Sequence, residues 1–138
     1  MAVCTVRDEE GRKIREFPLA VDCPALASVN AGTVLPEDGE EMKIVQCVLL
    51  DEAGNAVSEC EELGTLPKYF PFRKPEIRIT CEGRKVTLEA DTFCTGVELQ
   101  AGDARFSDNW LTLYPGEART VTADRDLNEN AVHVLWLE

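Results

Sequence analysis

Residues 106–117 constrain the fold of this chain most strongly, because they predict two turns on either side of a short strand. The run Ser-Asp-Asn at 107–109 carries short polar side chains that hydrogen-bond the nearby backbone, and Asn and Asp also tolerate a positive φ. Leu111 and Leu113 then alternate with polar or aromatic neighbours, which is the period of a strand with one buried face. The Pro-Gly pair at 115–116 suits the two central positions of a type II turn.

Short alternating segments of this kind recur along the whole chain, separated by Gly, Pro, Asp and Asn, and no segment has the period of a long amphipathic helix. Pro18 is expected to end or bend the second strand, because proline cannot donate to a ladder. A further extended stretch is predicted at 19–29, followed by an acidic loop at 36–41. The pattern predicts an all-β fold of antiparallel sandwiches. The predicted strands are 2–7, 14–17, 42–50, 56–58, 76–81, 85–91, 96–100, 110–114, 118–123 and 131–137.

Two acidic turns share the pattern Asp-Glu-x-Gly, at 8–11 and 51–54, and each is followed by an apolar residue. A loop of this length commonly ends in a glycine that adopts a left-handed backbone conformation. The pattern predicts two hairpins with the same turn chemistry.

A stiff linker at 64–75 is indicated by three prolines and a glycine. It divides the chain into two predicted units, residues 1–65 and 66–138. Tyr69, Phe70 and Phe72 lie within the linker, and we expect them to pack between the two halves. An exposed aromatic platform for a sugar or peptide is the alternative interpretation.

The formal charge of −12 opposes binding to nucleic acid or to an anionic membrane surface. No apolar run is long enough to span a bilayer, and the N-terminus lacks a basic region followed by an apolar one.

The six cysteines form no C-x-x-C pair; they are Cys4, Cys23, Cys47, Cys60, Cys81 and Cys94. We expect them to be free, buried thiols of a cytoplasmic protein rather than a disulfide framework.

Catalytic chemistry finds little support in the sequence. His133 is the only histidine and lies in an apolar strand, and Ser107 with Asp108 lacks the surroundings of a nucleophile elbow. Acidic pairs such as those at 9–10 and 40–41 fall in loops, where solvation explains them without the paired carboxylates of glycoside hydrolysis. We predict no catalytic residue, no metal site and no cofactor.

The order Phe-Ser-Asp-Asn-Trp at 106–110, then Leu113 and then Pro-Gly-Glu at 115–117, resembles the signature of the C-terminal immunoglobulin-like domain of β-mannosidases in glycoside hydrolase family 2. The resemblance covers residues 66–138, and more loosely the first half of the chain, in which residues 49–58 have the form of the last hairpin of the preceding domain. It implies two immunoglobulin-like antiparallel β-sandwich units, the first truncated at its N-terminus.

The resemblance also implies a non-catalytic accessory role, in which the chain supports an upstream catalytic barrel that hydrolyses terminal β-mannosides. No position matches the catalytic glutamates of that barrel, so none is carried over. The missing front strands would expose an apolar face and an unpaired edge, which predicts a homodimer through residues 1–63. The alternatives are a protein-interaction module, and a carbohydrate-binding module whose ligand is a mannose-containing oligosaccharide stacked on Trp110, Tyr114 or Tyr69.

Overall fold

The computed structural model describes residues 1–34, 37, 39 and 42–137, and the described part of the chain is built from antiparallel strands. Short 3₁₀ turns lie at Pro67–Tyr69 and Glu129–Ala131. None of the described residues forms a helix that is long and apolar enough to cross a membrane. The strands are β1 (Ala2–Arg7), β2 (Lys13–Leu19), β3 (Ile44–Leu50), β4 (Ala56–Leu63), β5 (Ile77–Glu82), β6 (Lys85–Ala90), β7 (Cys94–Gln100), β8 (Leu111–Leu113), β9 (Arg119–Thr122) and β10 (His133–Leu135).

The chain divides into two compact units, Met1–Pro71 and Phe72–Glu138. The boundary predicted after residue 65 lies at the start of the same proline-rich stretch. Phe70 is buried, Tyr69 is exposed, and Phe72 contacts Phe93 within the second unit.

The first unit is one four-stranded antiparallel sheet with the strand order β2-β1-β3-β4. The central strand β1 buries residues on both faces, with Cys4 and Val6 on one and Thr5 and Arg7 on the other. Arg7 is only 2% exposed. Its guanidinium donates to the side-chain oxygen of Gln46 at 2.7 and 3.0 Å and to the carbonyl of Gly11 at 2.9 Å. This network compensates for part of the cost of removing the charge from water.

Pro18 lies inside β2, paired with Val3, and the strand continues to Leu19. Of the two expectations for Pro18, that it ends or bends the strand, the first was therefore wrong. The reason is the position of β2 at the edge of the sheet. Met1 and Leu50 exchange two backbone hydrogen bonds, so Met1 bonds towards the β3 side. Along an antiparallel strand the backbone groups of successive residues bond to opposite sides, so those of Ala2, Cys4 and Val6 bond towards β2. The nitrogen of Pro18 therefore faces outward, where no ladder bond is lost.

The extended stretch predicted at 19–29 is not a strand beyond Leu19. Residues 20–34 form an irregular, largely exposed connection from β2 towards β3. The acidic loop predicted at 36–41 falls, except for residues 37 and 39, outside the described residues.

The two Asp-Glu-x-Gly turns have the same hydrogen-bond pattern, as predicted. In the first, the Asp8 carboxylate accepts the amides of residues 10 and 12 while Gly11 donates to the Asp8 carbonyl. In the second, Asp51 accepts the amides of residues 53 and 55 and Gly54 donates back to its carbonyl. Both glycines have a φ near +90°, at 90° and 85°. The side-chain amide of Asn55 also donates to the Asp51 carboxylate, and this bond is the main cause that lowers the pKa of Asp51.

The second unit contains two three-stranded sheets, with the orders β5-β6-β9 and β10-β7-β8. Both sheets contribute to one buried cluster, which identifies the unit as a β-sandwich of the predicted class. The buried residues of the cluster are Val86, Leu88, Ala90, Cys94, Val97, Leu99, Ala101, Leu111, Leu113, Val121 and Val132.

Candidate functional site

The candidate site is the surface turn at 106–110 in the second unit, where two side chains bond to the sheets and an exposed tryptophan follows the second of them. Trp110 has 64% of its surface exposed. It is one of the three residues that the sequence suggested for stacking on a sugar, and it ends the Phe-Ser-Asp-Asn-Trp signature.

Asn109 fastens one end of the turn to the sheet that contains β7 and β8. Its side-chain oxygen accepts the amide of Leu99 at 2.8 Å, and its side-chain nitrogen donates to the carbonyl of Leu99 at 3.1 Å. The side-chain amide of Asn109 thus bonds to both the N–H and the C=O of Leu99, as the backbone of a neighbouring strand would do.

Ser107 fastens the other end to β9 in the opposite sheet. Its amide donates to the carbonyl of Thr122 at 2.8 Å, and its hydroxyl accepts the amide of Thr122 at 3.0 Å. Phe106 next to it forms an antiparallel bridge with Ala123. Two residues apart, Ser107 and Asn109 thus bond to different sheets of the same sandwich.

Asp108 has a local role between these two anchors. One carboxylate oxygen accepts the amide of Asn109 at 2.9 Å, and the other lies 3.3 Å from Arg119. Both side chains are substantially exposed, so the ion pair contributes at most about 1 kcal/mol.

Trp110 itself has a left-handed backbone, with φ at 59°. Outside glycine, asparagine and aspartate this conformation costs roughly 1–2 kcal/mol, because Cβ approaches the following carbonyl oxygen. The amide of Trp110 donates to the side-chain oxygen of Asn109 at 3.1 Å. The anchored turn therefore imposes a strained conformation on a large residue whose ring faces solvent.

The turn that follows β8 agrees with the sequence prediction. The amide of Glu117 donates to the carbonyl of Tyr114 at 3.2 Å, and Gly116 between them has φ at 75°. A positive φ at the third position is the mark of a type II turn, so this prediction is confirmed.

The other two sugar-stacking candidates differ sharply in exposure. Tyr114 is 5% exposed, and its ring stacks on Phe93 at 5.6 Å, while Phe93 in turn stacks on Phe72 at 6.1 Å. A ring covered in this way offers no face to a sugar. Tyr69 belongs to the first unit and is 61% exposed, with the Lys68 ammonium 4.7 Å from its ring centre.

Two of the acidic side chains that line a groove in the second unit have structural partners. A shallow groove of about 390 Å³ is lined by Glu76, Glu89 and Asp91 among others. Glu89 bonds to Arg78 on the neighbouring strand, and Asp91 accepts the amide of Glu76 at 2.7 Å. Within the described part of the chain, no group of three or more His, Cys, Asp or Glu residues is arranged to hold a metal ion.

Residues 72–134 match the family model Ig_mannosidase, which is described as an Ig-fold domain. This match confirms the resemblance that the Phe-Ser-Asp-Asn-Trp signature predicts for the second half of the chain. A comparison with curated protein sequences gave no match.

Solved structures of two glycosidases are similar to almost the entire chain. A β-D-mannosidase from Dictyoglomus thermophilum matches with a TM-score of 0.78 at 15% identity, covering 99% of this chain and 18% of the enzyme. The exo-chitosanase CsxA from Amycolatopsis orientalis matches with a TM-score of 0.68 at 17% identity, covering 98% of this chain and 22% of the enzyme. At these identities the likeness is one of fold, and the chain spans less than a quarter of either enzyme.

Replacing Asn109 with alanine should lower the free energy of unfolding of the chain by about 1–3 kcal/mol, because the amide and carbonyl of Leu99 both lose their partner. The matched control is Asn130→Ala at an exposed position, which should change it by less than about 0.5 kcal/mol. Urea unfolding followed by tryptophan fluorescence measures both. Equal stabilities of the two variants would contradict the anchoring role of Asn109.

Replacing Trp110 with glycine should leave the free energy of unfolding unchanged or raise it by up to about 1 kcal/mol, because glycine adopts the positive φ without strain. Trp110→Ala keeps the strain while removing the ring, and serves as the control that separates the two effects. Thermal unfolding of both variants measures the difference. A large loss of stability in Trp110→Gly would mean that the ring contributes to packing.

Proposed function

We propose that this chain, whose residues 72–134 match an Ig-fold domain of mannosidase type, is a non-catalytic accessory region of a β-mannosidase-like enzyme of glycoside hydrolase family 2. Its role is to support a catalytic barrel that precedes it in the parent protein. The observation that carries the proposal is the Ig_mannosidase match at the position of the sequence signature.

An accessory role is supported by the way in which the polar groups of the signature are used. Ser107 and Asn109 bond to backbone groups of two sheets, and Asp108 pairs with Arg119. A hydroxyl or carboxylate committed to such bonds is a poor nucleophile or general base, since those roles require access to a substrate. The segment therefore stabilises the domain, and chemistry belongs to the parent enzyme.

Terminal β-mannosides are the proposed substrate class of the parent. The β-D-mannosidase and the exo-chitosanase that share the fold act, by their names, on different sugars, so the mannose assignment depends on the family model and the signature. A hexosaminide is the substrate class against which it must be tested.

A carbohydrate-binding role is the second candidate, and the exposed ring of Trp110 is the observation that favours it. Aromatic side chains at the surface can stack on the apolar face of a sugar ring. A single exposed ring without a convergent set of polar groups is a weak platform, because sugar specificity needs directed hydrogen bonds. For this reason the accessory role is preferred.

The size of the native protein tests the accessory proposal. Immunoblotting of the source cells with an antibody against residues 1–138 should detect a polypeptide about five times the 15.3 kDa of this chain, because the chain spans 18% to 22% of the similar enzymes. That polypeptide, when purified, should cleave nitrophenyl β-mannoside in preference to nitrophenyl β-glucosaminide.

The isolated chain provides the control. It should show no turnover of either substrate, and calorimetric titration with mannosides should give no heat of binding. A native band at 15.3 kDa alone would contradict the accessory role. If the chain gives a heat of binding with mannosides and Trp110→Ala does not, the carbohydrate-binding role would be favoured over the accessory role.

The homodimer through residues 1–63 stays a prediction. The two edge strands of the first sheet carry residues that oppose pairing with a second copy. The outer edge of β2 carries Pro18, which lacks an N–H, and β4 carries Glu59, Glu61 and Glu62. Proline and like charges at an edge both oppose pairing with a second copy. A dimer would therefore form through an exposed face of the sheet and not through its edge strands. Sedimentation velocity at tens of micromolar should detect this dimer. A monomer at that concentration would contradict the prediction.

A further inference from the structure

Three of the six cysteines lie in one row across the first sheet, although they are far apart in sequence. Cys4 on β1 is directly opposite Cys47 on β3, and Cys47 is directly opposite Cys60 on β4. Directly paired residues point to the same face of a sheet. The row runs from a fully buried thiol at Cys4, through a half-buried one at Cys47, to an exposed one at Cys60.

The backbone bonds identify the kind of pair that each contact forms. Hydrogen-bonded and non-hydrogen-bonded pairs alternate along an antiparallel ladder. Met1 and Leu50 form a hydrogen-bonded pair, and Cys4 and Cys47 lie three pairs further along, so they form a non-hydrogen-bonded pair. Such pairs bring the Cα atoms to about 4.5 Å, which lies within the range of disulfides, about 4.4–6.8 Å. The two Sγ atoms are 2.7 Å apart, and a disulfide bond of about 2.05 Å requires only a small further approach.

The second contact is of the other kind. Gly64 donates to Lys43, so the alternation along β3 makes Cys47 and Cys60 a hydrogen-bonded pair, with Cα atoms about 5.5 Å apart. This separation also allows a disulfide, with a longer approach. Cys60 is therefore close enough to exchange with Cys47 and exposed enough to meet a reagent.

We propose that Cys4, Cys47 and Cys60 are a redox modification site, in which a low-molecular-weight disulfide enters at Cys60 and leaves a reversible cross-strand disulfide between Cys4 and Cys47. The inference is independent of the function proposed above.

The steps balance with oxidised glutathione as the oxidant. The Cys60 thiolate attacks one glutathione sulfur and releases the first reduced glutathione. Cys47 then attacks the Sγ of Cys60, which releases the second reduced glutathione and forms a Cys47–Cys60 disulfide. Finally Cys4 attacks the Sγ of Cys47, and Cys60 leaves as a free thiol. Two protein thiols have lost two hydrogens, and one glutathione disulfide has become two thiols.

The environment of the row makes this reaction slow at neutral pH. Burial and then the bond from Cys4 raise the pKa of Cys47 to about 11, and burial raises the pKa of Cys60. The thiolate fraction of Cys47 should therefore rise about tenfold per pH unit between pH 7 and 9. Among the residues of the four strands, register places the ionisable side chains of Arg15 on β2 and Glu62 on β4 on this face, besides the cysteines. Glu37, from the connection between β2 and β3, lies 3.7 Å from Arg15.

Incubation of the reduced, folded chain with oxidised glutathione at pH 8.5 tests the proposal. In the expected product Cys4 and Cys47 have together lost two hydrogen atoms and appear in one cross-linked peptide, and none of Cys4, Cys47 and Cys60 carries glutathione, whether or not the exposed Cys23 does. Dithiothreitol should reverse it. The same treatment in denaturant is the control, and it should give a mixture of pairings because the strand register is lost.

Two variants examine the entry step. Cys60→Ser should form the same cross-link several-fold more slowly, whereas Cys81→Ser in the second unit should form it at the rate of the unaltered chain. Equal rates in Cys60→Ser and the unaltered chain would overturn entry at Cys60. Six free thiols after incubation of the folded chain, or a stable glutathione adduct in place of the cross-link, would overturn the site.

Discussion

The second unit depends on the tie that Ser107 and Asn109 make between its two sheets. The sheets of a sandwich are held largely by apolar packing, which is strong but has no direction. Hydrogen bonds from one turn to Thr122 in one sheet and to Leu99 in the other add that direction. They determine where the turn sits relative to both sheets. Trp110 comes directly after this tie, and its amide donates to the same Asn109 side-chain oxygen that accepts from Leu99.

Most of the strands could be predicted from the sequence, because alternation and turn chemistry are local. The positions of β1, β5 and β6 agree with prediction within a residue, and the paired Asp-Glu-x-Gly turns have the same bonds. Pro18 could not be placed, because only the order of strands shows that β2 lies at an edge. The stretch at 19–29 has suitable residues for a strand, yet a strand also needs a neighbour.

The site was predicted in part, and the limits have a physical cause. The sequence indicated that Ser107, Asp108 and Asn109 have structural roles, since each can bond its own surroundings. It could not show that Tyr114 is buried, because alternation along β8 ends at the turn that follows it. The cysteine row was missed for a related reason. Register between β1 and β3 joins residues 43 positions apart, and each thiol alone is indistinguishable from a small apolar residue.

The strand order of the first unit divides it into two hairpins, β1 with β2 and β3 with β4, docked along a single seam. Six residue pairs between β1 and β3, together with the bonded pair of Met1 and Leu50, form that seam, and the chain that links the hairpins begins with the exposed segment 20–34. A cut in this segment would turn the unit into a complex of two fragments held by noncovalent contacts alone, chiefly those of the seam. A cross-strand bond between Cys4 and Cys47 would then be the only covalent connection between them. The chemistry of one thiol pair thus decides whether a nicked unit behaves as one molecule or as two.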